Sequence, residues 1–220
     1  MAATARAPKP KARRDREATR KSIVEAAKQV LVAEGFGGLG VNAVARKAGC
    51  DKQLVYRYFG GIDGVVEAIG SDLADWVRTS LEPLEELPPA RSYEELMSRL
   101  AVGFLEALRR DVLVQKLIAW EISEPSPHVA QLTEVRSHAL MIWMAGQRGD
   151  LSPPPGVDAQ MMNALLIAAI QHIVLAGSAS GMFAGVRLSQ SSDWARVQDA
   201  LQKLVATMFV GFDPSDAAGG

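Results

Sequence analysis

Along most of this chain the apolar residues recur at intervals of three and four, and Gly or Pro interrupts the pattern at lengths an ordinary helix fills. That spacing gathers apolar side chains on one side of a 3.6-residue helix, whereas half-buried strands need strict alternation. From about Asp15, Ile23, Ala26, Ala27, Val30 and Leu31 mark a first helix, with Gly35 where a stop belongs. Val41, Val44, Ala45 and Ala48 mark a short second one. Gly49 ends it, Asp51 can cap a third helix, and Val55 and Phe59 supply that helix's buried side. Six more helical patterns follow: Asp63 towards Leu87, Tyr93 to Arg110, Val112 to Ser123, His128 to Gln147, Asp158 to Phe183 and Asp193 to Phe209. Pro88 and Pro89 close one of them, and Pro153, Pro154 and Pro155 lie in a stiff linker. With no run of alternating β-branched residues and no internal repeat, the expected fold class is all-α.

Charge divides the chain where the helix lengths do. Residues 1–60 hold 13 Lys and Arg against 5 Asp and Glu, while residues 61–220 hold 11 against 20. The basic end suits a polyanion. Three parts are expected: a disordered basic arm over residues 1–14, a helix-turn-helix domain over 15–61, and a larger helical bundle over 62–220. Apolar residues at 48% and charged residues at 22% describe a chain that folds around a core. Cys50 is the single cysteine, so no intrachain disulfide and no thiolate metal cluster is expected, and a cytoplasmic location fits. Ala159 to Val186 contains no Asp, Glu, Lys or Arg and is long enough for a bilayer, but Gln171 and His172 sit near its middle, so a buried helix of a protein without a membrane anchor is expected. Gly177, Gly181 and Gly185 then read as close helix packing.

Val41 to Phe59, VNAVARKAGCDKQLVYRYF, carries the chemistry. Two helices of about two turns joined at Gly49, with the small Ala45 at their crossing, meet the requirements of a helix-turn-helix. If Val55 and Phe59 face inward, the 100° step of a helix turns Gln53 and Arg57 outward, flanked by Leu54 and Tyr56, with Lys52 on the first turn. Arg57 can pair with guanine or a phosphate, Gln53 with adenine, and Leu54 with a thymine methyl; Lys52 and Tyr56 can hold phosphates. Asn42 and Arg46 on the preceding helix and Tyr58 complete the expected DNA contacts. Taken singly, each polar residue is equally well a solvated surface position.

Thr19 to Val66 resembles the DNA-binding domain of the tetracycline-repressor (TetR) family. The likeness runs through Ile23, Ala26-Ala27, Glu34-Gly35, Val44-Ala45, Ala48-Gly49, Val55-Tyr56, Phe59, Asp63 and Val65 in order. It implies that the helix after Asp51 is the recognition helix, that Tyr56 contacts a phosphate and that Phe59 is core. It also implies a double-stranded DNA operator, a homodimer and a small-molecule effector bound by the C-terminal part. The sequence departs from the family at Leu39 and Gly40, where Thr or Ser is common, and at Ile62, where Lys is usual. The side-chain cap of the second helix and two phosphate contacts are thereby lost.

Gly35, Gly37 and Gly40 satisfy a dinucleotide-binding spacing, but a helix precedes them where a strand is required, and no cofactor is expected. Candidate effector-lining residues are Phe104, Trp120, His138, Met141, Trp143, Met144, Met161, Met162 and His172, since Met and Trp line adaptable cavities. Taken singly, a residue of these types is more often ordinary core than pocket lining. The three His residues lack the spacing of a helical metal site, and no nucleophile has an activating neighbour in sequence, so no metal and no catalysis is expected. A helical enzyme and a non-specific DNA-binding protein remain as alternative readings.

Overall fold

Asp51 shows how the helices are delimited: its carboxylate accepts the Gln53 backbone N–H at 2.8 Å and starts a helix just after Gly49 has ended one. The computed structural model describes residues 11–81, 87–124 and 126–209, the side chains of 11–14 excepted. The described elements are α1 (Lys11–Gly38), α2 (Val41–Ala48), α3 (Lys52–Phe59), α4 (Ile62–Leu81), α5 (Tyr93–Arg110), α6 (Val112–Ser123), α7 (Pro127–Arg148), α8 (Ala159–Ser180), the strands β1 (Met182–Phe183) and β2 (Val186–Arg187), and α9 (Ser191–Met208). The all-α class holds. Ser92, Asp111, Ser126 and Asp158 repeat the Asp51 device, each accepting a backbone N–H in the first turn of α5, α6, α7 and α8. Gly40 precedes α2 without a side-chain cap.

Several boundaries shift. The helical backbone of α1 already begins at Lys11, inside the stretch expected as an arm; residues 1–10 lie outside the described residues. Gly35 interrupts α1 with φ 70° and ψ −171°, a conformation closed to residues with a Cβ, so the expected stop is a break three residues before the last helical turn ends at Gly38. The α4 pattern expected towards Leu87 is described to Leu81, residues 82–86 lying outside the description, as does the small-residue tail from residue 210.

The last helices differ most from expectation. The helix expected to reach Phe183 ends at Ser180, because Gly181 turns left-handed at φ 68° and an antiparallel hairpin follows, with Phe183 paired to Val186. Both residues of its turn, Ala184 and Gly185, have positive φ, as the tightest hairpins need. Of the three glycines expected to pack helices, Gly177 does so: a Cβ there would lie 2.7 Å from the Trp194 ring. The other two shape the turns. Nor is α8 a buried helix in the single chain. Leu166, Ile170 and Val174 face the core, while Met161, Ala164, Leu165, Ala168 and Ala169 are exposed along the opposite side.

One continuous core joins the two halves. Ile23, Ala27 and Leu31 of α1 meet Val44, Val55, Val65 and Ile69, and the cluster runs on through Leu105, Leu108 and Ile118 to Ile170, Val174 and Val205. The chief packing partner of α4 is α7, and α6 reaches α1 directly. Lys28 on α1 and Asp72 on α4 add an ion pair at 2.5 Å, and His128 Nε2 at the start of α7 lies 2.8 Å from Asp63 Oδ1 at the start of α4.

Candidate nucleic-acid interface and ligand groove

The outward face of α3 is set from behind. Val55 is fully buried between α1, α2 and α4, and this fixes the rotation of α3 about its axis. Lys52, Gln53, Tyr56 and Arg57 consequently stand outward, with Tyr56 55% exposed despite its aromatic ring. Leu54, Tyr58 and Phe59 are half-buried and rest on the core. Asn42 and Arg46 are exposed on α2. Gly49, left-handed at φ 65°, makes the turn between the helices, and its N–H reaches the Ala45 and Arg46 carbonyls. The spacing of Gln53 and Arg57, four residues apart, sets both on the same outward line as a groove-reading helix needs.

Two further cations converge here. Arg20 on α1 lies with its guanidinium 4.7 Å from the Phe59 ring centroid and donates from Nη1 to the Tyr58 carbonyl at 3.4 Å. Arg16, one turn earlier, lies 5.8 Å from the Tyr58 ring centroid. With Glu17, Arg57 and Tyr58 they line an open hollow. Such an array of guanidinium groups at the edge of a recognition helix is chemically a phosphate seat. Sequence reasoning missed both residues; the basic i, i+4 pair was visible, but its partner Tyr58 lies 38 positions away. Beside the turn, burial first and then the Asp51 charge push the Cys50 thiol above its ordinary value, so it stays protonated near neutrality.

In the C-terminal half, α4, α5, α7 and α8 surround a small, partly open apolar cavity of about 30 Å³, lined by Phe104, Trp143, Met144, Leu166 and Ile170 among others. It adjoins an open groove of about 660 Å³, whose walls share Met97, Leu100, Leu140, Met144, Asn163 and Ile167 with it. The volume is in the range of small-molecule sites. Met141 also lines the groove. The other candidates lie elsewhere: Met162 packs half-buried against the core, Met161 and His138 are exposed, and His172 is exposed with its ring edge-on to Phe183, centroids 4.7 Å apart. Trp120 instead joins the two halves, its ring T-shaped on Phe36 at 5.4 Å and so close to Gly35 that a Cβ there would lie 3.6 Å from Nε1.

The groove's polar residues escaped sequence reasoning. Arg136, buried, donates to Glu121 at 2.6 Å. Asn163 Nδ2 donates to the Tyr93 hydroxyl at 3.3 Å, and Asn163 Oδ1 is buried with no hydrogen-bond partner. Arg136 could have been noticed, since it follows Val129 and Leu132 on the buried side of α7, where a charge is out of pattern.

Residues 23–69 match the profile of the bacterial regulatory proteins of the tetR family. The HTH-type transcriptional regulator SrpR of Pseudomonas putida is 31% identical over 93 residues, an alignment spanning 42% of this chain and 40% of SrpR. Among solved structures, Salmonella enterica GusR superposes with a TM-score of 0.63 at 18% identity, covering 87% of this chain and 95% of GusR. The transcriptional regulator FadR of Bacillus subtilis, solved with stearoyl-CoA, gives 0.62 at 15% identity over 88% and 99%. A TetR family transcription regulator from Marinobacter aquaeolei VT8 gives 0.60 at 14% over 87% and 97%. At these identities the structural likeness speaks for the fold, and the sequence match for the DNA-binding helices. Residues 23–69 thus carry the helix-turn-helix domain of the tetR family of bacterial regulatory proteins, and the chain as a whole has the fold of the solved regulators it superposes on.

Proposed function

We propose that this protein is a ligand-responsive repressor that binds a palindromic operator as a homodimer and is released by a small amphipathic effector. The observation that carries the reading is the outward face of α3, where Gln53, Tyr56 and Arg57 are exposed while Val55 is fully buried behind them. Residues 15–61 are the DNA-binding domain, and residues 62–220 dimerise and sense. One eight-residue recognition helix reads too few base pairs for a unique site, whereas two, spaced about 34–36 Å, read successive major grooves. The exposed apolar side of α8, with Leu204 of α9, supports pairing of two chains through these helices. Met141 and Met144 in the groove suit a guest with an apolar body, and one protein of this fold was solved with stearoyl-CoA.

In this reading the effector binds the released conformer more tightly than the bound one; each ~1.4 kcal/mol of that difference weakens the operator complex about tenfold. The α6 contact at Trp120, Phe36 and Gly35 and the α4–α7 packing are the routes by which the sensing half can act on α3. Gln53→Ala with Arg57→Ala is expected to abolish the specific retarded complex in a mobility-shift assay while the circular dichroism spectrum stays that of the wild type. An undiminished complex from the double variant would overturn the assignment of this face.

A further inference from the structure

The groove holds an arrangement of charge that its apolar lining does not explain. Arg136 and Arg148 are its cations and Glu121 its one anion among the lining residues, so the site has a positive excess. The two members of the Arg136–Glu121 pair are unequally committed to it. The Arg136 side chain is 7% exposed and that of Glu121 34%. Glu121 can therefore turn outward and be hydrated, but Arg136 cannot move out with it, and a guanidinium left alone among apolar groups is strongly disfavoured. An anion arriving from the groove meets a cation whose present partner is free to leave. Past the guanidinium, Met97, Leu100, Leu140, Met144 and Ile167 form a wall that is aliphatic except at Asn163 and leads to the inner cavity.

We infer that the groove takes an aliphatic carboxylic acid, whose carboxylate replaces Glu121 as the partner of Arg136 while its chain lies along that wall. The inference rests on the reading of the groove as the effector site. A carboxylate fits the fork of a guanidinium and forms charge-assisted bonds to it, and the alkyl chain is driven in by loss of its water contact. The exchange also has a route to the DNA. Glu121 adjoins Trp120, the α6 residue that packs on Phe36 and Gly35 of α1, so loosening Glu121 loosens α6 where it touches the DNA-binding helices.

Calorimetric titration of the full-length protein with decanoate, decan-1-ol and decyltrimethylammonium, each below its micellar concentration, tests this. For the wild type, decanoate is expected to bind at least about tenfold more tightly than the alcohol, with the ammonium weakest. Glu121→Gln removes the competing carboxylate, so it is expected to tighten decanoate several-fold and leave the alcohol unchanged. A merely structural role for Glu121 would instead weaken all three. Equal affinity for acid and alcohol, or a folded Glu121→Gln protein that binds decanoate less tightly, would overturn the carboxylate and leave the groove as an effector site for uncharged guests. No binding of any of the three to the wild type would overturn the acid and count against the groove itself. The acid-against-alcohol comparison needs no variant, so it stands however Glu121→Gln folds.

Discussion

Val55 decides what its neighbours can do. With that side chain fully buried, Gln53 and Arg57 have no inward alternative, and their long polar ends project into solvent, free to meet a base edge or phosphate in the proposed complex. Arg20 is held differently, by the Phe59 ring and the Tyr58 carbonyl, which aims a second cation at the border of the same face. A residue that seats a phosphate contributes equally on every sequence. Arg20→Ala is therefore expected to weaken operator and random DNA alike, and to lower the slope of log affinity against log salt by about 1, as fluorescence anisotropy at several salt concentrations would show. A loss confined to the operator would make Arg20 a base-reading residue instead. Glu95, at the start of α5, is governed by local bonds: it accepts the Arg91 backbone N–H at 2.9 Å and pairs with the Arg99 side chain. The Arg91 backbone bond holds its carboxyl below the ordinary range; desolvation opposes this, and the Arg99 bond and charge, with the Arg91 charge, keep the net shift downward. A carboxyl depressed in the folded state stabilises it above the ordinary carboxylate range and loses that contribution as pH falls through the depressed value. Thermal melts from pH 7 into the acid range should thus show a smaller decline for Glu95→Gln than for the wild type; parallel declines would contradict it.

The elements differ in how openly they were written. α3 was legible in its residues, because Asp51, Val55 and Phe59 fall at cap and i, i+4 positions that local geometry alone interprets. α8 was legible as a helix but not in its burial: it is apolar on nearly every side, and periodicity cannot say which side meets its own chain and which meets something else. The hairpin after it was hidden for a related reason, since Met182, Phe183 and Ala184 suit a helix, and only the left-handed turn at Gly181 excludes one. The groove's ion pair was out of reach, joining Glu121 and Arg136 from helices whose packing the sequence does not state. Gly177 marks a place where α8 lies against Trp194 at the start of α9. A methyl group there would meet the Trp194 ring at 2.7 and 2.9 Å, and that ring is buried and covered by the Arg109 guanidinium at 4.1 Å, so it cannot simply swing aside. Gly177→Ala should destabilise the protein by about 1–3 kcal/mol in urea unfolding, although alanine is the better helix former. Unchanged or increased stability would mean that this packing yields.

Across the molecule, the DNA-binding helices, the groove and the exposed side of α8 are connected through one core, with Trp120 and the α4–α7 packing as the links between the two halves. Met161 and Leu165 on α8 and Leu204 on α9 are each roughly half exposed in the single chain, apolar surface that a second chain can cover. Leu165→Asp with Leu204→Asp is expected to convert a sedimenting dimer into a folded monomer and to lower operator affinity with it; a variant that remains dimeric would place the interface elsewhere. All of this presumes that the α3 face discriminates among DNA sequences. The most direct measurement is the affinity ratio of the full-length protein, at physiological salt, for a fragment selected from the source genome over the same fragment scrambled. A ratio of about 10³ or more is expected for the wild type, collapsing towards one when Gln53 and Arg57 are both alanine; a wild-type ratio near one would mean that the α3 face does not discriminate among sequences.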